Sequence, residues 1–396
     1  MKHLAPALLI LASLVFLTPG LVRASEPVRD WTMLVFLNGN NNLDDWAKFN
    51  LLEMEQVGSS DRVNVVVQWA SYERKKVDRR YIVKSNTPDE VRSPVLQDLG
   101  RADMGDWRQL VDFIAWGAAN YPARHYLIDV WDHGTGWHEN RARGVDISHD
   151  DFTHHWITTQ QLGWVLRDAA KIIGHKVDVY ASDACEMGMI EIASELAANV
   201  EIYAGSQIDI PLRGWPYAQI LRKWHARKDT SAADIARLIA SEYVSSFKGG
   251  VHGKKDATFS VYDLGKTQAL TEAIALLGTR LSKLGSTTDR KKVNNARIEA
   301  LTITNDYKDF LDFLEQLEKE KIEGLGQDVF GGVRRAAADY VIANQVTSGY
   351  PRLAKGISIW LPGEKKWFSK YLSQYNALNF SAATHWEDAL KNLLLE

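Results

Sequence analysis

Val179-Tyr180-Ala181-Ser182-Asp183-Ala184-Cys185 is the stretch that decides the fold of this 396-residue chain. Its first half is apolar and β-prone and its end is a small-residue turn, so it reads as a buried strand ending on Asp-Ala-Cys. Cys185 is the only cysteine in the sequence. A single cysteine has no intramolecular disulfide partner, so it either fills core space or works as a thiol. A matching stretch lies 52 residues upstream: Tyr126-Leu127-Ile128-Asp129-Val130-Trp131-Asp132-His133-Gly134, an apolar strand that ends on His-Gly. Both stretches put a reactive side chain where a strand gives way to a loop. In an open α/β sheet the carboxyl ends of the strands are where ligands bind.

Outward from these two strands, β and α patterns alternate. Strands are expected over Trp31–Leu37, Val63–Trp69 with Arg79–Lys84 as a hairpin arm, and Glu201–Gly205. Helices are expected over Leu43–Val57, Trp107–Asn120, Thr159–Gly174 and Met187–Ala198. Near-continuous apolar strands alternating with helices predict a mostly parallel sheet with helices on both faces, an α/β three-layer sandwich. The last third is more helical, with helices over Tyr217–Arg227, Ala232–Phe247, Thr267–Leu284, Asp306–Lys321 and Gln327–Asn344 and a final one to Leu395. Strands are expected at Thr258–Leu264 and Gly356–Leu361, the latter returning to the main sheet. The polar, turn-rich run Ser286–Lys292 marks the expected boundary between a core over 25–285 and a helical portion over 286–396.

Residues 1–24 carry a short positive start (Lys2, His3), an apolar run from Leu4 to Leu17, and the small-residue site Val22-Arg23-Ala24. The run is short and broken by Pro6 and Pro19, which fits a cleaved signal peptide rather than a membrane span. The expected location is therefore outside the cytoplasm, periplasmic or extracellular. No cysteine follows the segment to take a lipid anchor. Removing it takes away Lys2 and Arg23 and no acid, shifting the formal charge from −3 to −5. A mildly acidic chain is not a nucleic-acid binder by charge. Ten per cent aromatic residues, 14 of them Trp, indicate a filled core.

The candidate chemistry is nucleophilic. A thiolate at Cys185 attacks an acyl carbon, and His133 serves as base and then as acid to the leaving amine. The backbone N–H groups of Gly134 and Cys185 are candidate oxyanion donors. Asp183 lies two residues before Cys185, on the same side of the strand and one step deeper. A sunken carboxylate needs a cationic partner. If no protein cation reaches it, the P1 Arg or Lys of a substrate does; the alternative is a helix-capping role. Asp209, in the loop Ser206–Pro211, is a second candidate acid for that pocket.

A His about fifty residues ahead of an Ala-Cys resembles the local signature of caspases. Together with Gly214-Trp215-Pro216-Tyr217, the His133-Gly134 and Asp183-Ala184-Cys185 strand ends resemble the clostripain family of cysteine peptidases, which have the caspase-like fold. Asn38-Gly39-Asn40-Asn41-Asn42-Leu43-Asp44 and Lys355-Gly356-Ile357-Ser358-Ile359-Trp360-Leu361-Pro362 are also similar to stretches of that family. The resemblance runs from about residue 30 to the C-terminus. It implies an endopeptidase that cuts peptides and proteins after Arg or Lys, with His133 and Cys185 as dyad and Asp183 as the P1 acid. It also places Trp215 near the substrate cleft, where a core aromatic is the alternative.

Family members that activate themselves cut after a basic residue in the loop between the His and Cys strands, and in this loop only Arg141 and Arg143 are available. The chemistry requires no cofactor. Calcium dependence, a trait of some relatives, makes Asp150 and Asp151 candidate calcium ligands against the simpler reading of a solvated loop. His149, His154 and His155 lack the spacing of a zinc helix. Gly249-Gly250-Val251-His252-Gly253-Lys254-Lys255 has the wrong glycine spacing for a phosphate loop, and no Gly-x-Ser-x-Gly elbow exists. The rival class is a catalytically silent peptide-binding or surface-interaction protein on the same fold.

Overall fold

The computed structural model describes residues 28–138, 146–304 and 306–394. The expected signal segment 1–24 and the candidate processing sites Arg141 and Arg143 lie outside the described residues. The main sheet is built from β1 (Arg29–Gly39), β2 (Val63–Ser71), β3 (Lys76–Tyr81), β4 (Val95–Asp98), β5 (Ala123–Trp131), β6 (Val177–Asp183), β7 (Val200–Gly205), β8 (Thr258–Asp263) and β9 (Val341–Val346). Its order is β9-β8-β7-β6-β5-β1-β2-β3-β4. The five strands from β7 to β2 run parallel. Both flanks are antiparallel.

Parallel strands buried on both faces must be apolar on both faces, and β1 shows this. Met33, Val35 and Leu37 enter one core, while Leu34 and Phe36 enter the other. Helices α1 (Asp44–Glu55), α5 (Tyr217–His225) and α6 (Ala232–Phe247) close the first face. The second is closed by α2 (Trp107–Asn120), α3 (Thr159–Ile173) and α4 (Ile190–Leu196), then by the C-terminal helices. The latter are α7 (Thr267–Ser282), α8 (Thr287–Glu299), α9 (Phe310–Lys319), α10 (Gln327–Tyr340), α11 (Lys365–Tyr375), α12 (Asn379–Thr384) and α13 (Trp386–Leu394). The result is a three-layer α/β sandwich. Among the described residues no helix is long and apolar enough to cross a membrane.

Several boundaries differ from the sequence reading. The helix expected over Gln327–Asn344 stops at Tyr340, and Val341–Val346 becomes the sheet-edge strand β9, antiparallel to β8. That strand, rather than Gly356–Leu361, returns to the main sheet. Ser358–Trp360 instead pairs with Tyr307–Asp309 in a separate two-stranded ladder. This ladder takes the start of the helix expected over Asp306–Lys321, and Asp309 caps the remainder by accepting the Asp312 N–H. Ser286–Lys292, read as a boundary, is the cap and opening of α8, with the Ser286 side chain accepting the Asp289 N–H. A polar sequence can be a surface helix when its cap is in place. The hairpin arm expected at Arg79–Lys84 begins three residues earlier, at Lys76.

Candidate active site

β5 and β6 are parallel neighbours in which Trp131 lies opposite Asp183. Each chain runs two residues further, so His133 and Cys185 leave the sheet side by side. The Asp132 N–H donates to the Asp183 carbonyl at 3.4 Å, carrying the pairing past the strand ends. Gly134 packs against the Ala184–Cys185 peptide so closely that a Cβ there would lie 2.4 Å from the Cys185 carbonyl oxygen. Only glycine allows this approach. Directly after Cys185, Glu186 adopts a left-handed φ of 61°, rare for a side-chain-bearing residue, and turns the chain away from the thiol.

His133 and Cys185 line one cavity of about 1110 Å³. The Cys185 Sγ accepts the Ile210 N–H at 3.2 Å. His133 Nε2 lies 2.7 Å from Asn42 Oδ1, which orients the ring. Asn42 is set by the asparagine-rich loop after β1, and that loop is tied to buried Asp132. Asp132 accepts from Asn41 Nδ2 (2.7 Å), Asn38 Nδ2 (2.9 Å) and the His149 N–H (2.6 Å). Burial pushes the Asp132 carboxyl well above its ordinary range. A thiol and an oriented imidazole facing one cavity have the elements of nucleophilic acyl transfer.

Asp183 is buried and lines the same cavity. Its Oδ2 accepts the Trp215 N–H at 2.9 Å and the Tyr217 hydroxyl at 3.1 Å, while its Oδ1 is buried with no partner among the described residues. Among the described residues no lysine or arginine pairs with it. Burial first, and then the charge of Asp129, hold its carboxyl well above the ordinary range. Asp129 sits beneath it, is pushed up to about 7 by burial, and takes the same Tyr217 hydroxyl at 2.7 Å. Gly214 (φ 59°) lets the loop close over Asp183; a Cβ there would meet its Oδ2 at 2.7 Å. Asp209 is exposed on the wall of the cavity.

Trp215 is a correction to the sequence reading. Its indole is fully buried, packed on Tyr217 and edge-on to Phe259, and it does not line the cavity. Only its backbone amide reaches the site, at Asp183. Asp150 does not fit a calcium ligand: Asn40 Nδ2 and Met104 N–H fill its Oδ2, and the Phe152 and Thr153 N–H groups fill its Oδ1. Asp151 pairs with His149 at 3.0 Å. The sequence reading gave no role to Asn42, Asp129 or Tyr217. Asn42 lay in the asparagine run that carried the resemblance, which was its only signal.

The family model for the clostripain family matches residues 35–393. Clostripain of Hathewaya histolytica is 24% identical over 319 residues, which are 69% of this chain. The match spans 60% of that relative's length, less than two thirds. Among solved structures, a secreted C11 cysteine protease from Bacteroides thetaiotaomicron, in complex with an irreversible peptide inhibitor, has 19% identity and a TM-score of 0.68. That match covers 90% of this chain and 99% of the other. An inactive zymogen C11 protease from Parabacteroides distasonis has 18% identity and a TM-score of 0.69, covering 91% and 99%. These likenesses show the fold, the caspase-like α/β sandwich. A family match over nearly the whole described chain, with the His-Gly and Asp-Ala-Cys strand ends inside it, makes this protein a member of the clostripain family.

Proposed function

We propose that this chain is an exported cysteine endopeptidase that hydrolyses peptide bonds after Arg or Lys. The observation that carries the specificity is the buried, unpartnered Oδ1 of Asp183 on the cavity wall beside Cys185. A buried carboxylate without a cation is costly, and a P1 guanidinium or ammonium supplies the missing charge. Asp209 adds a second negative group on the same cavity wall. Export is supported by the signal-like segment 1–24 and by the secreted relative of known structure.

In the proposed reaction His133 takes the Cys185 proton, and the thiolate sulfur attacks the carbonyl carbon of the P1 residue. The Gly134 and Cys185 backbone N–H groups stabilise the oxyanion. His133 then returns its proton to the departing amine, leaving a thioester on Cys185. Water, deprotonated by His133, cleaves the thioester and releases the acid, restoring the thiol. Asn42 positions the imidazole by accepting from Nε2. Apart from the substrate and one water, every group in this cycle belongs to the chain, so the proposed chemistry calls for no cofactor.

Fluorogenic peptides with Arg, Lys, Asp or Leu at P1, assayed under reducing conditions, test the reading. Turnover of Arg and Lys peptides that vanishes in Cys185→Ala is expected. A preference for Asp or Leu would remove the role given to Asp183. Silence on all four would favour a peptide-binding protein without turnover.

A further inference from the structure

The run Lys248-Gly249-Gly250-Val251-His252-Gly253-Lys254-Lys255, which fails as a phosphate loop, forms a small antiparallel hairpin at the end of α6. Lys248 and Lys254 are cross-strand partners in it. Like charges placed opposite each other in an antiparallel pair are destabilising. Both are exposed, as is Lys255, and among the described residues no carboxylate pairs with any of the three. The arrangement therefore works against the hairpin's own stability unless an anion sits over it.

The three lysines line a cavity of about 740 Å³ whose other wall is Val346, Thr347 and Ser348 at the end of β9. It shares the lining residues Phe247, Lys255 and Asp256 with the active-site cavity, so the two cavities adjoin along the hairpin. Among the described residues Asp256 is the only carboxylate lining this second cavity, against three lysines. The hairpin is also fastened in place. Buried His252 packs on Phe247 and Phe49, its ring nitrogen lies 3.5 Å from Glu53 Oε1, and its N–H donates to the Ser246 carbonyl at 3.1 Å. The Lys255 N–H donates to the Phe247 carbonyl at 3.1 Å. The acidic cavity around Asp183 and Asp209 thus borders a basic cavity along the hairpin.

We propose that the Lys248/Lys254/Lys255 rim is a substrate subsite for a carboxylate side chain, so that favoured peptides carry Asp or Glu a few residues from their basic P1 residue. The inference rests on the P1 reading above and extends it. Peptides with Arg at P1 and one Glu or Gln walked through the flanking positions test it, read both as kcat/KM with the wild type and as Kd with Cys185→Ala. At one or two flanking positions Glu should exceed Gln by about three- to tenfold, and the advantage should shrink in 0.5 M salt. In the Lys248→Gln/Lys254→Gln/Lys255→Gln variant the Glu-to-Gln ratio should fall to about one. Glu and Gln peptides handled alike at every position by the wild type, or a Glu advantage that survives in the variant, would overturn the inference. Binding that favours Glu without any turnover would keep the subsite and sink the peptidase reading instead. Turnover after Arg without a Glu preference would do the reverse.

Discussion

Asp183 has one carboxylate oxygen bonded to the Trp215 amide and the Tyr217 hydroxyl, and another buried without a partner among the described residues. Tyr217 has a single proton to give, yet its oxygen touches both Asp129 and Asp183. Both carboxyls are raised by burial, so near neutral pH the trio holds an extra proton. On the proposed reading, a P1 cation favours the charged form and displaces that proton. Benzamidine, an amidinium probe, is predicted to release close to one proton per molecule bound at pH 6 and to bind more tightly at pH 8. Calorimetry in buffers of different ionisation enthalpy reads this directly, and binding without proton release at pH 6 would contradict it. Asp183→Asn should lower kcat/KM on Arg peptides by about a hundredfold. The place of Asp183 was legible from its two-residue spacing to Cys185. Asn42 and Tyr217 were not, because their partners lie 91 and 34 residues away in the chain.

At the level of elements, the site depends on two strand ends leaving the sheet in register. Gly134 is the point of closest approach, where a Cβ would meet the Cys185 carbonyl oxygen at 2.4 Å and the Ala184 Cβ at 3.1 Å. Gly134→Ala should therefore push the His and Cys turns apart. Misplacing reacting groups by about 1 Å costs on the order of a hundredfold in rate. The prediction is a kcat/KM lowered by about that factor, with circular dichroism unchanged; an active Gly134→Ala enzyme would contradict the packing. The two strands were readable because each is a long apolar run ending in small residues. The edge strand β9 was not, since Val341–Val346 continues a helical pattern and becomes a strand only through pairing with β8. Trp215 erred in the same direction: an aromatic beside a catalytic motif can serve the core, and burial is not written in spacing.

Across the whole molecule, several acids are buried on the side of the protonated form. Glu191, which accepts the Trp360 N–H at 2.8 Å, is pushed up to about 8 by burial. Glu195 and Asp129 rise to about 7, and Asp309 to about 6, for the same reason. Between the ordinary carboxyl range and these values the folded chain holds protons that the unfolded chain has released. Unfolding free energy therefore falls as pH rises through that window. Tm should drop by about 5 °C or more between pH 5.5 and 8.5. Glu191→Gln should raise it at the alkaline end, and a flat or rising Tm profile would contradict the assignment. The sandwich itself was legible as alternating β and α segments. The C-terminal helices share a single core with the sheet, and no local pattern signals that sharing.

The central claim is that Cys185 is a nucleophile served by an Arg- or Lys-binding pocket. A peptidyl arginine chloromethyl ketone tests it most directly, because a thiolate displaces the chloride and forms a permanent thioether. Intact-mass and peptide mass spectrometry should find one adduct, on Cys185, forming much faster than with the leucine analogue and slowed in both His133→Ala and Asp183→Asn. An unlabelled Cys185, or labelling as fast with leucine as with arginine, would contradict the account.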